Sequence, residues 1–294
     1  MSNKSYLSVY AKSFNWAGFF LPKDTYKKCS ILYDFCRVAD NIADDKESVE
    51  IKETKFKQFE NNFNHKNFDN HIIKNMWSLV DEFNISLKII HDLFDGIRSD
   101  IKESVKFKSK KDLLVYSYRV AGTVGLMMAK ILKVSKKNSL KSAIDLGIAM
   151  QLTNIARDIY EDALMNRIYL PQDWINNTDI SELTDISSNK DLIQIKSAIK
   201  RLILLSETYY KNGFAGMRYI PLKTRLAIFF AAKIYRAIGQ KIKKNRYEYS
   251  YKRIYVSTIE KLFITFISIP EFVFLNLRYN KYQLIREIFQ NENL

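Results

Sequence analysis

Apolar positions recur every three to four residues over long stretches of the chain, the period of helices that bury one face. After Pro22, apolar Ile31, Leu32, Phe35, Val38, Ala39 and Ile42 follow this spacing with Asp24 near the start, so a helix is expected through the ADNIADD run ending at Asp45. Residues 47–63 and 68–100 continue the period with charged outer faces, and further helices are expected over Lys111–Leu132 and from about Leu140 to Met165. Pro171–Lys190, rich in Asn, Ser, Thr and Asp, reads as a loop. Basic amphipathic helices follow over about 191–211 and 223–245. The segment Leu262–Leu275, LFITFISIPEFVFL, is apolar but interrupted by Pro270 and Glu271. It is too short to span a bilayer, which leaves a buried helix or an interfacial one. No repeat or low-complexity linker divides residues 1–294. The economical reading is one all-α domain, a bundle of about eight to ten helices.

Composition supports long helices: among 294 residues, 8 Gly and 4 Pro are too few for a many-turned sandwich or barrel. The net charge of +15 adds something the pattern does not, an attraction to an anionic partner such as nucleic acid, an acidic membrane or a phosphorylated small molecule. That charge is uneven, because the last 99 residues carry +13 and the remainder only +2. Cys29 and Cys36 are seven apart on one helix, about 10 Å along its axis, which is too far for a disulfide and reads as two core thiols. His65, His71 and His91 fall in no zinc-ligand spacing. The N-terminal MSNKSYLSVYAKSFNW has no apolar signal core, so a cytoplasmic protein is expected.

Two polar rows carry the chemistry. Arg37, Asp40 and Asp44 lie three and four apart in FCRVADNIAD, one face of a helix whose carboxylates are roughly 6 Å apart. Gln151, Asn154, Asp158 and Asp162 form a second row at spacings of three, four and four, with Arg157 beside it and Leu152, Ile155 and Ile159 around it. A lone acidic pair is ordinarily a solvated helix face. Two such rows amid apolar neighbours, each with an arginine, suit hard divalent cations such as Mg²⁺, which take oxygen ligands and retain phosphate oxygens and waters. A third feature, YSYRVAGTVG, places Gly122 and Gly125 inside a helix, where each costs about 1 kcal/mol relative to Ala. They imply a kink, a close helix crossing or an apolar tunnel wall.

Together these segments resemble the squalene and phytoene synthase family, the head-to-head prenyl transferases, and are most similar to its bacterial phytoene synthases. The likeness covers about Ser13–Ser257: KSF at 12–14, YDFCRVADNIADD at 33–45, YSYRVAGTVGLM at 116–127, LGIAMQLTNIARDIYED at 146–162, NRIYLP at 166–171 and ETYYKNGFAGMRYIPLKTRLAI. Residues 258–294 add an apolar and basic C-terminal segment without usable resemblance.

The resemblance implies a helical bundle of the isoprenoid synthase type around a deep central cavity. Asp40 and Asp44 match the first acidic motif, and Asn154, Asp158 and Asp162 the second. They would hold Mg²⁺, with Mn²⁺ as a substitute, against the diphosphates of two substrates. Arg37, Arg157, Lys12, Ser13, Tyr247 and Arg253 match diphosphate-binding positions, and Gln151 matches the polar rim. Phe14, Val120, Ala121, Val124, Gly125 and Tyr116 match the region where the isoprenoid chains lie. Tyr116 is either a cation-stabilising residue or part of the core. Asp34, an extra acid, and Asn41, at a position that is often acidic, depart from the pattern.

The implied reaction joins two geranylgeranyl diphosphates through a cyclopropylcarbinyl diphosphate into phytoene, with no NADPH required and a downstream desaturase as the expected consumer. Small Gly18, one turn beyond Phe14, favours the C20 substrate over the C15 farnesyl diphosphate of squalene and dehydrosqualene synthases. The basic C-terminal third and LFITFISIPEFVFL suit peripheral contact with an anionic membrane. A basic helical nucleic-acid-binding protein is the rival of another class, motivated by KIKKNRYEYSYKRIY at 241–255. It leaves both acidic rows unexplained, and no nucleic-acid partner is expected.

Overall fold

Prolines and short polar side chains set where the helices begin in the computed structural model, which describes residues 6, 12–134, 137–184, 192–249 and 252–275. A seven-residue helix α1 (Lys12–Gly18) is followed by Pro22 and then α2 (Lys23–Asp44). Ser48 accepts from the Ile51 backbone N–H at the start of α3 (Val49–Asn64), and Asn70 from those of Ile72 and Ile73 at the start of α4 (His71–Phe83). Asn84, at φ 49°, ends α4 in a left-handed turn that separates it from α5 (Leu87–Arg98). The apolar period over 68–100 therefore belongs to two helices, because the turn between them is short enough to leave the spacing intact. A capping box between Ser109 and Asp112 opens α6 (Lys110–Ser117).

From α6 the chain passes through a π-turn at Tyr118–Gly122 into α7 (Thr123–Ile131) and then the long α8 (Lys137–Leu164). The segment expected as a loop contains a 3₁₀ turn at Gln172–Trp174 and a short α9 (Ile180–Thr184); residues 185–191 lie outside the described residues. The α10 (Leu192–Gly216), α11 (Leu222–Lys244) and α12 (Thr258–Leu275) helices complete the bundle, and residues 276–294 again lie outside the described part. The all-α expectation holds, with the helices more finely divided than the eight to ten expected. The described strands are two-residue pieces, β1 (Val105–Lys106) and β2 (Arg167–Ile168), paired in parallel.

Two apolar cores flank the centre. One is aromatic: Phe35 of α2 meets Phe59 and Phe63 of α3 at 5.4 and 5.5 Å between ring centroids, with Phe94 of α5 against all three. The other runs along α8, which packs against α7, α10 and α11. The glycines of α7 and α8 explain how closely these helices cross. A Cβ on Gly147 would lie 2.2 Å from the Ala121 carbonyl oxygen, and one on Gly125 would lie 2.3 Å from that of Ala143. Backbone thus touches backbone, and the glycines flagged in the sequence serve both a π-turn and a close crossing. Cys29 and Cys36 are buried and unpaired, as the spacing requires. Among the described residues no helix is long and apolar enough to cross a membrane.

Candidate active site

A cavity opens between α1, α2, α7, α8, α10 and α11, and the two polar rows reach it from different helices. On α2 the lining stripe runs through Cys29, Leu32, Tyr33 and Cys36 and ends at Asp40. On α8 it runs from Ser139 through Leu146, Gly147 and Met150 and ends at Gln151 and Asn154. Each stripe is therefore mainly apolar and ends on its polar row. From Ser139 to Asn154 the wall is about 22 Å long at 1.5 Å per helical residue. Val120, Ala121, Val124 and Gly125 supply another wall, and Phe14 lies against Tyr235 at 5.0 Å between centroids. All of these expected chain-contacting positions line the cavity except Tyr116.

The acids differ in their partners. Asp40 faces the cavity, and burial, reinforced by Asp44 and opposed by Arg37, pushes its carboxyl up to about 7. Asp44 accepts a 2.8 Å bond from Arg167, whose guanidinium is buried and also donates to the backbone oxygens of Ala43 and Asp100 at 2.9 and 3.1 Å. Asp158 sits where α8 loses helical geometry (φ −107°, ψ 17°) and accepts from both Arg157, at 2.7 and 2.5 Å, and Arg253, at 2.8 and 2.9 Å. Asp162 lies deeper; burial and then Asp158 raise its carboxyl well above the ordinary range, with Arg167 opposing. With these carboxylates turned towards arginines, no three described His, Cys, Asp or Glu side chains converge as a ready metal cage.

The donor chemistry fits a hard cation nonetheless. Asn154 lines the cavity, and its buried Oδ1 has no hydrogen-bond partner while its Nδ2 donates to Gln151 at 3.3 Å. An unpartnered buried carbonyl oxygen in the cavity that Asp40 also lines is the kind of oxygen ligand a hard cation takes.

Other expected residues are placed differently. Tyr116 is corrected from the cavity to the core behind it: its hydroxyl donates to buried Asp100 at 2.7 Å, and its ring stacks on Tyr169 at 4.8 Å. Tyr169 donates to the other oxygen of Asp100 at 2.8 Å. Burial pushes Asp100 up to about 6 although Arg167 and both phenols oppose it. Tyr247, half-buried at φ 59°, packs on the α8 core and does not line the cavity. The side chains of Lys12 and Ser13 lie outside the described residues. Gly18 lines the cavity, but the space beside it is filled: a Cβ there would meet the Tyr26 ring at 2.4 Å.

The sequence reading missed four participants. Tyr33 precedes Arg37 by four and Asp40 by seven, so extending the first row backwards would have found it; burial raises its phenol to about 12. Tyr235 reaches the cavity only through the docking of α11, and burial raises its phenol while Arg157 opposes this. Arg167 and Asp100 come together through the β1–β2 pairing, which no local spacing signals.

A family profile described as squalene/phytoene synthase matches residues 7–260. The chain belongs to the squalene/phytoene synthase family. Members of the family are prenyltransferases that use prenyl diphosphates. The chain is 33% identical over 270 residues to a 15-cis-phytoene synthase of Enterobacter agglomerans, covering 87% of this chain and 90% of that one. It is 30% identical over 268 residues to the 15-cis-phytoene synthase of Pantoea ananas, covering 87% and 86%. A crystal structure of a dehydrosqualene synthase in complex with ligand superposes with a TM-score of 0.78 at 26% identity, over 92% of this chain and 94% of that one. Squalene synthase HpnC from Alicyclobacillus acidocaldarius, at 16% identity and a TM-score of 0.70, shares the fold. The squalene/phytoene synthase fold thus accounts for the bundle and for the two rows meeting at one cavity.

Proposed function

We propose that this protein is a phytoene synthase, which condenses two geranylgeranyl diphosphates head to head and releases two diphosphates. The observation that carries the reading is the cavity whose long apolar walls end on Asp40, Gln151 and Asn154. An apolar tail with an anionic head matches that division. The relatives at 30 and 33% identity, both phytoene synthases, support the choice of product.

Asp40, Asp44, Asn154, Asp158 and Asp162 would hold Mg²⁺ or Mn²⁺, which when bound supplies positive charge for the departing diphosphate. Arg37, Arg157 and Arg253 lie on the same rows or pair with them, so they add guanidinium donors for diphosphate oxygens. Loss of the first diphosphate leaves an allylic cation that the double bond of the second substrate attacks, and loss of a proton from the resulting tertiary cation closes the ring to a cyclopropylcarbinyl diphosphate. A second ionisation, rearrangement and proton loss give phytoene. Val120, Ala121, Val124 and Gly125 keep water from the cations and hold the chains in register. Tyr33 and Tyr235 line the cavity, so their rings serve the cation-stabilising role that was one of the two readings of Tyr116.

Incubation with geranylgeranyl diphosphate and Mg²⁺, without reductant, followed by mass analysis tests the reading. It predicts phytoene. A C30 product formed from farnesyl diphosphate in preference, a need for NADPH, or a cyclic product from one diphosphate would replace it.

A further inference from the structure

The α12 helix is amphipathic in the wrong sense for a surface helix in water. Its outward stripe, at spacings of three and four, is Ile259, Leu262, Phe263, Phe266, Val273 and Phe274, each between 54 and 79% exposed. Its inward face mixes Lys261 and Ser268, 7 and 4% exposed, and Thr265 with Ile264 and Phe272, which pack on the cores. The helix is nonetheless firmly seated. Trp16 of α1 donates to Thr265 at 3.3 Å, Phe272 packs on Phe229 of α11 at 5.4 Å, and Lys241 of α11 pairs with Glu260 at 2.9 Å. A seated helix that buries a lysine and a serine while turning six large apolar side chains outward faces a medium that is not water. At about 150–250 Å² per aromatic side chain, the three outward phenylalanines alone approach the few hundred Å² that mark an interaction surface. Phe19, 79% exposed, extends the patch, since it follows α1 and lies 6.4 Å from Trp16 between centroids.

We propose that the outer face of α12, with Phe19, docks on an anionic lipid bilayer, the helix lying in the plane of the interface. Three observations select lipid. The 18-residue helix does not qualify as a membrane span, so it lies on the bilayer. The last turn of α11 and the turn that follows it present exposed Lys243, Lys244 and Arg246, which complement anionic headgroups. A second copy placed face to face would set two such basic regions against each other, in a chain whose last 99 residues carry +13. The surface stands independently of the reaction proposed above; its use rests on that reading. An apolar C40 product leaves for lipid, and α1 joins the two places, with Ala17 and Gly18 in the cavity wall and Phe19 in the patch.

Cosedimentation of the full chain with vesicles, in the absence of substrate, tests this. At low salt the protein is expected to bind vesicles of phosphatidylcholine mixed with phosphatidylglycerol. The double substitution Phe263→Glu with Phe266→Glu is expected to weaken binding by at least about tenfold. Lys243→Glu with Lys244→Glu should weaken binding to the mixed vesicles by about fivefold per lysine, with little change on phosphatidylcholine alone. Circular dichroism and turnover in detergent should match the wild type in both variants, which separates loss of docking from loss of fold or of catalysis. Three outcomes overturn the proposal. The wild type stays in the supernatant with both vesicles; or F263E with F266E sediments like the wild type; or that variant splits a wild-type dimer, seen by sedimentation velocity, that does not bind vesicles.

Discussion

The two acidic rows meet at one cavity but balance their charge in opposite ways. The first row is locked: Arg167, its side chain 6% exposed, binds Asp44 and two backbone oxygens behind it, while Asp40 faces the cavity. The second row is held by arginines nearer the solvent. Asp158, at the kink of α8, is shared between Arg157 and Arg253, and Arg253 is 55% exposed at its side chain. A buried guanidinium fixes geometry, whereas an exposed one can exchange its carboxylate for another anion at little cost. The first row thus forms the fixed half of the site, and in the proposed reaction the second would be the half that rearranges as diphosphate and metal enter.

The largest effect expected is on catalysis when a cavity-facing or kinked acid loses its charge. Asp40→Asn and Asp158→Asn should each lower kcat by at least about 100-fold, with an unchanged circular dichroism spectrum; normal turnover in either would break the equivalence of the rows. Arg167→Met removes the bond to Asp44 and leaves the buried backbone oxygens of Ala43 and Asp100 without their donor, and should destabilise the fold by about 1–3 kcal/mol, seen as a lower denaturation midpoint. Arg253→Gln should change stability by less than about 1 kcal/mol and act instead on KM. If the two arginine variants proved equally destabilising, the contrast between a locked and a movable row would fail.

Protonation sharpens the same comparison. Burial raises Asp40 to about 7 and Asp100 to about 6, so in the folded, metal-free protein both bind protons more tightly than in the unfolded chain. Their contribution to stability is therefore full below their ordinary carboxylate range and is lost as pH rises towards 7. The melting temperature in the presence of a chelator should fall over that window, and less steeply in Asp40→Asn. The smallest expected change is in substrate choice. Gly18→Phe must displace the Tyr26 ring, which also lines the cavity, and should lower kcat/KM for the C20 substrate relative to the C15 one by about tenfold, within the range seen when a pocket loses or gains a few carbons.

The helices and both rows were legible in the sequence because helical period and carboxylate spacing are local properties. Asp40, Gln151 and Asn154 line one cavity as the motifs implied. Tyr116 was misplaced because the π-turn at Tyr118–Gly122 begins between it and the lining residues Val120, Ala121, Val124 and Gly125, a register change that residue spacing does not report. Arg167 escaped because its partners lie 123 and 67 positions away, at Asp44 and Asp100. Gly18 was read as empty space, yet the side chain that fills it comes from Tyr26, on the next helix. The apolar C-terminal segment left a buried and an interfacial helix open, and only the packing of α12 shows which of its faces is apolar and exposed.

That the two rows work as one site is tested most directly by binding. Isothermal titration of inorganic diphosphate with Mg²⁺ into the wild type, Asp40→Asn and Asp158→Asn reads the site without turnover. The account predicts Mg²⁺-dependent binding to the wild type and its loss in both variants. Binding retained in either variant at wild-type affinity would contradict it.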